Sequence, residues 1–121
     1  MSHTKRIPEG GLAEYLDSFS RRFVMHGSPE AVDIELIGPD DIGDQVVASG
    51  ARLLGLDYDR HTKALEVHLD SGDRRVYDTS EVWTIEDPDG FISSMEIVIG
   101  DGTRHVITIK RVGLRRWTRP M

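Results

Sequence analysis

The sequence contains no cysteine, which excludes disulfide bonds, thiolate nucleophiles and thiolate metal ligands. It also lacks a long apolar run. The longest stretches are a handful of residues, such as Ile97-Val98-Ile99, whereas a helix that spans a bilayer needs about 20. The first residues, Met1 to Arg6, are polar and have no apolar core of the kind found in secretion signals. These absences favour a cytoplasmic protein that does not enter a membrane.

Motifs that identify common enzyme classes are missing as well. No serine lies in a Gly-x-Ser-x-Gly turn, no Gly-x-Gly-x-x-Gly segment follows a predicted strand, and no Gly-Lys-Ser/Thr segment could bind phosphate. Asp57-x-Asp59 is typical of the start of a calcium loop. However, Thr62 stands where that loop needs glycine, and His68 stands where it needs an acidic residue. We therefore expect no metal and no cofactor.

Acidic residues are absent from the last twelve positions, which contain five basic ones. These are Lys110, Arg111, Arg115, Arg116 and Arg119. The other 109 residues contain ten basic and twenty-one acidic residues, so their net charge is −11, compared with −6 for the whole chain. Either the basic tail lies across its own acidic domain, or it reaches a partner subunit or a polyanion.

The N-terminal part of the chain has the hydrophobic period of a helix. Apolar residues recur at intervals of three and four and form one stripe. They are Leu12, Tyr15, Leu16, Phe19 and Phe23. Pro8 suits an early helical position, and Gly27 suits the position just after the helix. The pattern predicts an amphipathic helix over about residues 12–26.

After Pro29 the hydrophobic period changes to two residues, which predicts β-strands. The predicted strands cover 32–36, 46–58, 65–69, 76–77, 81–86, 91–99 and 103–110. The long strand is expected to bend at Gly50 and Gly55, and Gly100-Asp101-Gly102 is expected to close the last hairpin. No helix lies between the strands, so the sheet should be antiparallel.

These elements predict an α+β fold in one domain over residues 1–121. The N-terminal helix packs on a bent antiparallel sheet, or on a small open barrel, of about six or seven strands. The sheet covers about residues 31–110, and the basic tail covers 112–121.

Three functions are compatible with this fold. The first is a non-enzymatic binding or assembly module, which self-associates or binds another protein. Tryptophan and arginine are enriched in interfaces, so the predicted contact segment is Leu114, Arg115, Arg116 and Trp117. The alternative for this segment is that the tail packs Trp117 on its own domain.

The second function is a small-molecule hydrolase or isomerase. It would use His68 with Glu66 or His105 as acid and base, because a histidine–carboxylate pair can transfer protons near neutral pH. The strand period instead places His68 on the solvated face, where no neighbour would shift its pKa.

The third function is an Sm-like RNA-binding barrel. The segment from Gly50 to Asp57 resembles the first Sm signature, but Tyr58 replaces the asparagine expected after the aspartate. An acidic domain also repels phosphate, so nucleic acid is an unlikely partner.

Several segments together resemble a family of small bacterial proteins catalogued only as a domain of unknown function. The similarity covers most of residues 7 to 110, and the basic tail departs from it. The matching segments are Ile7-Pro8, Tyr15 to Ser20, Val32 to Gly38, Gln45 to Gly50, Leu54 to Asp59 and Ser94 to Thr103. The resemblance implies a compact single domain in a bacterial protein and implies no activity or site residue.

Overall fold

A large antiparallel sheet with a helix packed on one face forms the body of the molecule. The structure, a computed structural model, describes residues 3–24, 30–38 and 44–111. Helix α1 covers Glu9–Phe19 and continues into a π-helical turn, Ser20–Val24. The strands are β1 His3–Arg6, β2 Glu30–Ile37, β3 Asp44–Asp59, β4 Ala64–Leu69, β5 Arg74–Val76, β6 Thr79–Glu86, β7 Ile92–Ile99 and β8 Arg104–Arg111.

Within the described ranges the sheet has eight strands in the order β1-β6-β7-β8-β2-β3-β4-β5, and all neighbours are antiparallel. The prediction of an antiparallel sheet is confirmed, but six or seven strands was too few. The missed strand is β1, whose four exposed residues show no apolar alternation and pair with β6 at the edge. The order ends at β1 and β5, and no pairing among the described strands closes the sheet into a barrel.

Strand β3 is long enough to belong to both halves of the sheet. Its first part pairs with β2, and its last part, Leu53 to Asp59, pairs with β4. The predicted irregularities occur at both glycines. Gly50 adopts a positive φ of 69° beside a register shift against β2, and Gly55 follows a register shift against β4. These bulges let one strand turn from one half of the sheet into the other.

The helix is shorter than predicted and begins earlier. It starts after Pro8, which has extended dihedral angles and precedes the first helical turn, so Gly10 and Gly11 are helical. Regular α-helix ends at Phe19 rather than near residue 26, because the next five residues form the π-helical turn. Residues 25 and 26 lie outside the described ranges.

The predicted apolar stripe faces the core. Leu12, Leu16 and Phe19 are buried against the sheet, and Tyr15 and Phe23 pack beside them. The sheet contributes alternate residues of every long strand to the same cluster, among them Val32, Ile34, Leu56, Leu65, Val67, Met95, Ile97 and Ile107. This alternation buries one face of the sheet and leaves the other face without a covering element among the described residues.

The loop between β6 and β7 is fixed by two arginines. Arg111 Nη2 binds both carboxylate oxygens of Asp89 at 2.7 Å, and its guanidinium lies 4.0 Å from the centroid of the Phe91 ring. Arg22 Nη2 donates a hydrogen bond to the backbone oxygen of Asp89 at 2.9 Å. Phe91 in turn packs on Phe19 and Phe23 with centroid distances of 5.5 and 5.3 Å. These contacts join the end of β8 to the helix.

No helical segment in the described part of the chain has the length and apolar content needed to cross a lipid bilayer.

Candidate functional site

A cluster of charged side chains lies on the outer face of the β3–β4 hairpin. Asp57 and Glu66 occupy directly opposite positions on the two strands. His68 follows two residues after Glu66, so its side chain leaves the sheet on the same face. The residue opposite His68 is Gly55, which has no side chain, and the imidazole therefore has room to lean toward Asp57.

Both ring nitrogens of His68 contact carboxylates. Nε2 lies 2.7 Å from Asp57 Oδ2 and 3.6 Å from Glu66 Oε1, and Nδ1 lies 3.1 Å from Asp73 Oδ2 in the β4–β5 turn. The His68 side chain is 27 % exposed. Partial burial alone would lower its pKa, but the hydrogen bonds to Asp57 and Asp73 outweigh burial and raise the pKa above the usual value. The expectation that nothing would shift the pKa of His68 was wrong.

Glu66 has a cation on its other side. Arg75 lies opposite Glu66 on β5 and binds its carboxylate through Nε and Nη2. Arg75 Nη1 also donates to the hydroxyl of Tyr77 at 3.3 Å. Both nitrogens contact Glu66 Oε2, so the other oxygen, Oε1, is the one that faces His68.

The structure brings Glu66 and His68 together and places His105 elsewhere. His105 points to the core side of β8, the side of Ile107 and Ile109, and is 8 % exposed. His68 lies on the opposite side of the sheet from the buried Leu65, Val67 and Leu69. Burial lowers the pKa of His105, and Arg74 lowers it further. A catalytic role for His68, Glu66 or His105 stays a prediction, but the described sheet does not unite all three.

Sequence reasoning missed two members of the cluster. As a candidate metal ligand, Asp57 was considered only with Asp59, whose carboxylate instead accepts hydrogen bonds from the backbone N–H groups of His61 and Thr62 in the hairpin turn. A hairpin with a four-residue turn at 60–63 places Asp57 opposite Glu66. The length of the turn could therefore have predicted that these two residues are neighbours. Asp73 was assigned only to a turn, and no pattern in the sequence points it at His68.

An open groove of about 490 Å³ borders this cluster. Asp57, Glu66 and Tyr58 contribute to its wall, together with Ala13 of the helix and the turn residues that follow β3. The Tyr58 hydroxyl donates to Glu9 Oε2 at 2.9 Å, and burial with this contact raises the pKa of Tyr58 to about 12. Tyr58 is therefore a neutral hydrogen-bonding group at neutral pH, and the groove gives solvent access to the two carboxylates.

A second polar group joins the helix to the sheet. The Tyr15 hydroxyl donates to the buried carboxylate of Glu86, and Lys5 Nζ lies 3.2 Å from the same carboxylate. Burial raises the pKa of Tyr15 above its usual value, and the hydrogen bond to Glu86 raises it further. The pocket at this place has a volume of about 200 Å³. The contacts satisfy Glu86 internally and account for its burial without a ligand.

The uncovered face of the sheet carries apolar and charged side chains in one continuous row. Strand register aligns six outward positions across neighbouring strands, and this row is called the outer row below. It consists of Arg6, Trp83, Glu96, Val106, Glu35 and Val46. Trp83 is 38 % exposed and its neighbour along β6, Ile85, is 37 % exposed. Arg104 Nη1 lies 3.3 Å from Glu96 Oε2 on the same face.

The predicted contact segment, Leu114, Arg115, Arg116 and Trp117, lies outside the described residues. Of the five basic residues near the end of the chain, two lie within the described part of the structure. Lys110 and Arg111 belong to β8 and bind acidic residues of the same domain, Asp33 at 3.2 Å and Asp89 at 2.7 Å. These two charges are therefore neutralised within the domain, and the segment 112–121 keeps three basic residues.

Comparison with known proteins assigns the chain to a family. A family model described as "Family of unknown function (DUF5335)" matches residues 3–113. The chain belongs to the DUF5335 family. An uncharacterized protein of Aquifex aeolicus (strain VF5) is 34 % identical over 109 residues, which cover 88 % of this chain and 92 % of the relative. The predicted resemblance to bacterial proteins of unknown function is confirmed, and membership of DUF5335 assigns no activity to any residue.

No solved structure matches the chain at a significant level. The Sm-like alternative stays a prediction, and the described sheet has eight antiparallel strands that do not close into a barrel.

Proposed function

We propose that this chain is a non-enzymatic assembly module of a bacterial cytoplasm, and that the outer face of its sheet binds a second copy of the chain. The observation that carries the proposal is the outer row, in which Trp83, Val106 and Val46 lie on the face that no described element covers. Exposed apolar groups bordered by charged ones are typical of protein interfaces.

The edges of the sheet support association through the face rather than through strand addition. At one edge is β1, only four residues long, with Lys5 and Arg6. At the other edge is β5, only three residues long, with Arg74 and Arg75. Short edge strands with basic side chains oppose pairing with another chain. Self-association by continuation of the sheet is therefore disfavoured.

A second copy suits this face because both signs of charge occur on it. Arg6 and Arg104 lie on the same face as Glu35, Glu81 and Glu96. A twofold axis places the same patch of both subunits in contact, so a patch with both signs can pair each arginine with a glutamate of the other copy. A surface of one sign would repel itself in this arrangement.

The size of the face indicates a role for the basic tail. Six strands about 4.8 Å apart, with about three rows of outward residues about 7 Å apart, form a patch of roughly 600 Å². Stable interfaces bury about 800 Å² on each partner. Residues 112–121 follow β8, which lies in the interior of the strand order. The tail therefore begins next to the outer face, and it can add contact area through the predicted contact segment, Leu114, Arg115, Arg116 and Trp117.

Mass measurement by light scattering after size exclusion tests the proposal. The full chain is expected to have at least twice the monomer mass at about 100 µM, a concentration at which an interface of micromolar affinity is occupied. Val106→Arg, in the middle of the outer row, is expected to yield monomers. The longer side chain would hold the two faces apart, and it would pair with Glu35 and Glu96 of its own chain and so withdraw them from the arginines of the second copy. Leu54→Arg is the matched control, because Leu54 is also exposed but lies outside the outer row.

Removal of residues 112–121 tests the tail separately. We expect the assembly of the truncated protein to dissociate at a higher protein concentration than the assembly of the full chain. Unchanged mass over a dilution series would remove the tail from the interface. A monomeric full chain, or an assembly that Val106→Arg leaves intact, would overturn the proposal for the face.

A further inference from the structure

We propose that Asp57, Glu66 and His68 form a binding site for a divalent transition-metal ion, with Zn²⁺ as the ion that fits this donor set. The site lies on the β3–β4 hairpin, and the argument for it is independent of the proposed assembly. One imidazole and two carboxylates are donors that suit Zn²⁺, whereas Mg²⁺ and Ca²⁺ favour oxygen donors alone.

The spacing of the donor atoms supports a single bound ion. One ligand atom from each of the three residues lies within 4.8 Å of the others. Ligand atoms around a tetrahedral ion with bonds of 2.0–2.2 Å are separated by about 3.3–3.6 Å. The observed separations from His68 Nε2 are 2.7 Å to Asp57 and 3.6 Å to Glu66. Asp57 must move away from His68 Nε2 by about 0.6 Å to reach the tetrahedral separation, and its side chain is 60 % exposed and so has room to rotate.

The outer contacts of the cluster are those that orient metal ligands. Histidine ligands commonly donate their second N–H to a carboxylate, which fixes the tautomer and the ring plane. Asp73 is 3.1 Å from His68 Nδ1 and occupies that position. With Nδ1–H bonded to Asp73, the lone pair of Nε2 points to the side where Asp57 and Glu66 lie. Arg75 holds the Glu66 carboxylate in the same way.

Three protein donors leave a coordination position for water. The groove beside Asp57 and Glu66 is open to solvent, so an ion can enter and keep a water molecule. Sites with three protein ligands and one open position differ from closed structural sites with four. Binding of this kind stabilises the hairpin but is not required for the fold, whose core lies on the other face of the sheet.

The test titrates tag-free protein with Zn²⁺ by calorimetry and with Co²⁺ by visible absorption, because Co²⁺ reports its ligands spectroscopically. The wild-type chain is expected to bind one ion of each metal, and a large excess of Mg²⁺ should not displace Co²⁺. His68→Gln removes the nitrogen donor and should weaken binding by at least about tenfold. Asp73→Asn should weaken it by about 10- to 100-fold, because Asp73 acts through His68.

His61→Gln is the matched control, since His61 is an exposed histidine of the adjacent turn that borders the same groove. The His61→Gln variant should bind Zn²⁺ and Co²⁺ with the affinity of the wild type. Nuclear magnetic resonance of the wild-type protein provides a second readout that needs no variant: Co²⁺ should shift the ring protons of His68 before those of His61. Failure of the wild type to bind either ion, equal affinity of His68→Gln and wild type, or shifts confined to His61 would each overturn the proposal.

Discussion

At the scale of single residues, Gly100 and Asp78 show how a turn depends on a missing side chain. A Cβ atom built on Gly100 would overlap Asp78 Oδ2 and would lie 3.0 Å from Asp78 Cγ. Asp78 itself has a φ of 58°, and its backbone oxygen accepts a hydrogen bond from Gly100 N at 3.1 Å. We expect Gly100→Ala to lower the free energy of unfolding by about 0.5–1.5 kcal/mol, because the exposed Asp78 side chain must rotate away from the new methyl group. Urea denaturation measures the change.

Gly10 provides the control for this substitution. Nothing lies within 4 Å of a Cβ atom at Gly10, which is in the first turn of the helix. Gly10→Ala should therefore raise stability by about 0.5–1 kcal/mol. Combining Gly100→Ala with Asp78→Gly removes both the clash and the positive φ of a non-glycine residue. If the double variant were as unstable as Gly100→Ala alone, the clash would not be the cause.

His68 and His105 are predicted to affect stability in opposite directions as the pH changes. The folded state raises the pKa of His68, so its contribution is present below about pH 6.5 and is lost as pH rises through the folded pKa. Burial lowers the pKa of His105, so its contribution is present above about pH 6.5 and is lost as pH falls below that value. Urea denaturation at about pH 5.5 and about pH 7.5, with a chelator present, measures both.

Single substitutions separate the two histidines. On acidification, His105→Gln should lose less stability than the wild type, because the destabilising protonation is absent. His68→Gln should lose more, because the stabilising protonation is absent. The same sign of change in both variants would contradict the assignment, whatever each substitution does to stability at neutral pH.

At the scale of elements, Ser20 joins the end of the helix to the bend in β3. Its Oγ accepts a hydrogen bond from Leu56 N–H at 3.0 Å, and it lies 3.0 Å from Leu16 O and 3.1 Å from Leu56 O, to which it can donate. Ser20→Ala would leave the buried Leu56 N–H unsatisfied, so we expect a loss of about 1–3 kcal/mol in the free energy of unfolding. Thermal and urea denaturation measure this loss.

Ser18→Ala is the matched control, since Ser18 is half-buried on the same helix and makes no side-chain hydrogen bond among the described residues. Its stability should change by less than about 0.5 kcal/mol. Equal effects of the two substitutions would show that Ser20 acts only through its volume.

Helices and strands with a clear hydrophobic period were predictable from the sequence, and elements without such a period were not. The stripe from Leu12 to Phe19 and the alternation of the strands identified the helix and the main sheet, because burial of one face imposes a period. No local pattern predicts the π-helical turn, whose first residue, Ser20, bonds to a strand residue 36 positions away. Strand β1 forms only because β6 offers an edge to pair with.

At the scale of the whole molecule, strand order decides which candidate residues meet. Glu66 and His68 were predicted as neighbours because they share one strand face, and they lie together. The sequence could not show that His105 faces the core, because its strand also contains half-buried Val106 and Thr108 on the other face. Asp57 reaches the cluster through the hairpin register and Asp73 through a turn, and neither depends on hydrophobic period.

The shared strand β3 predicts that the sheet unfolds as one cooperative unit. Because β3 pairs with β2 through its first part and with β4 through its last, loss of either half exposes apolar residues of the other. Hydrogen exchange measured by mass spectrometry in increasing urea should give β4 and β7 the same free energy of opening, and far-ultraviolet circular dichroism should show one transition at the same urea concentration. If the free energy of opening of β4 were several kcal/mol lower than that of β7, the two halves of the sheet would be separate units and the single-domain prediction would fail.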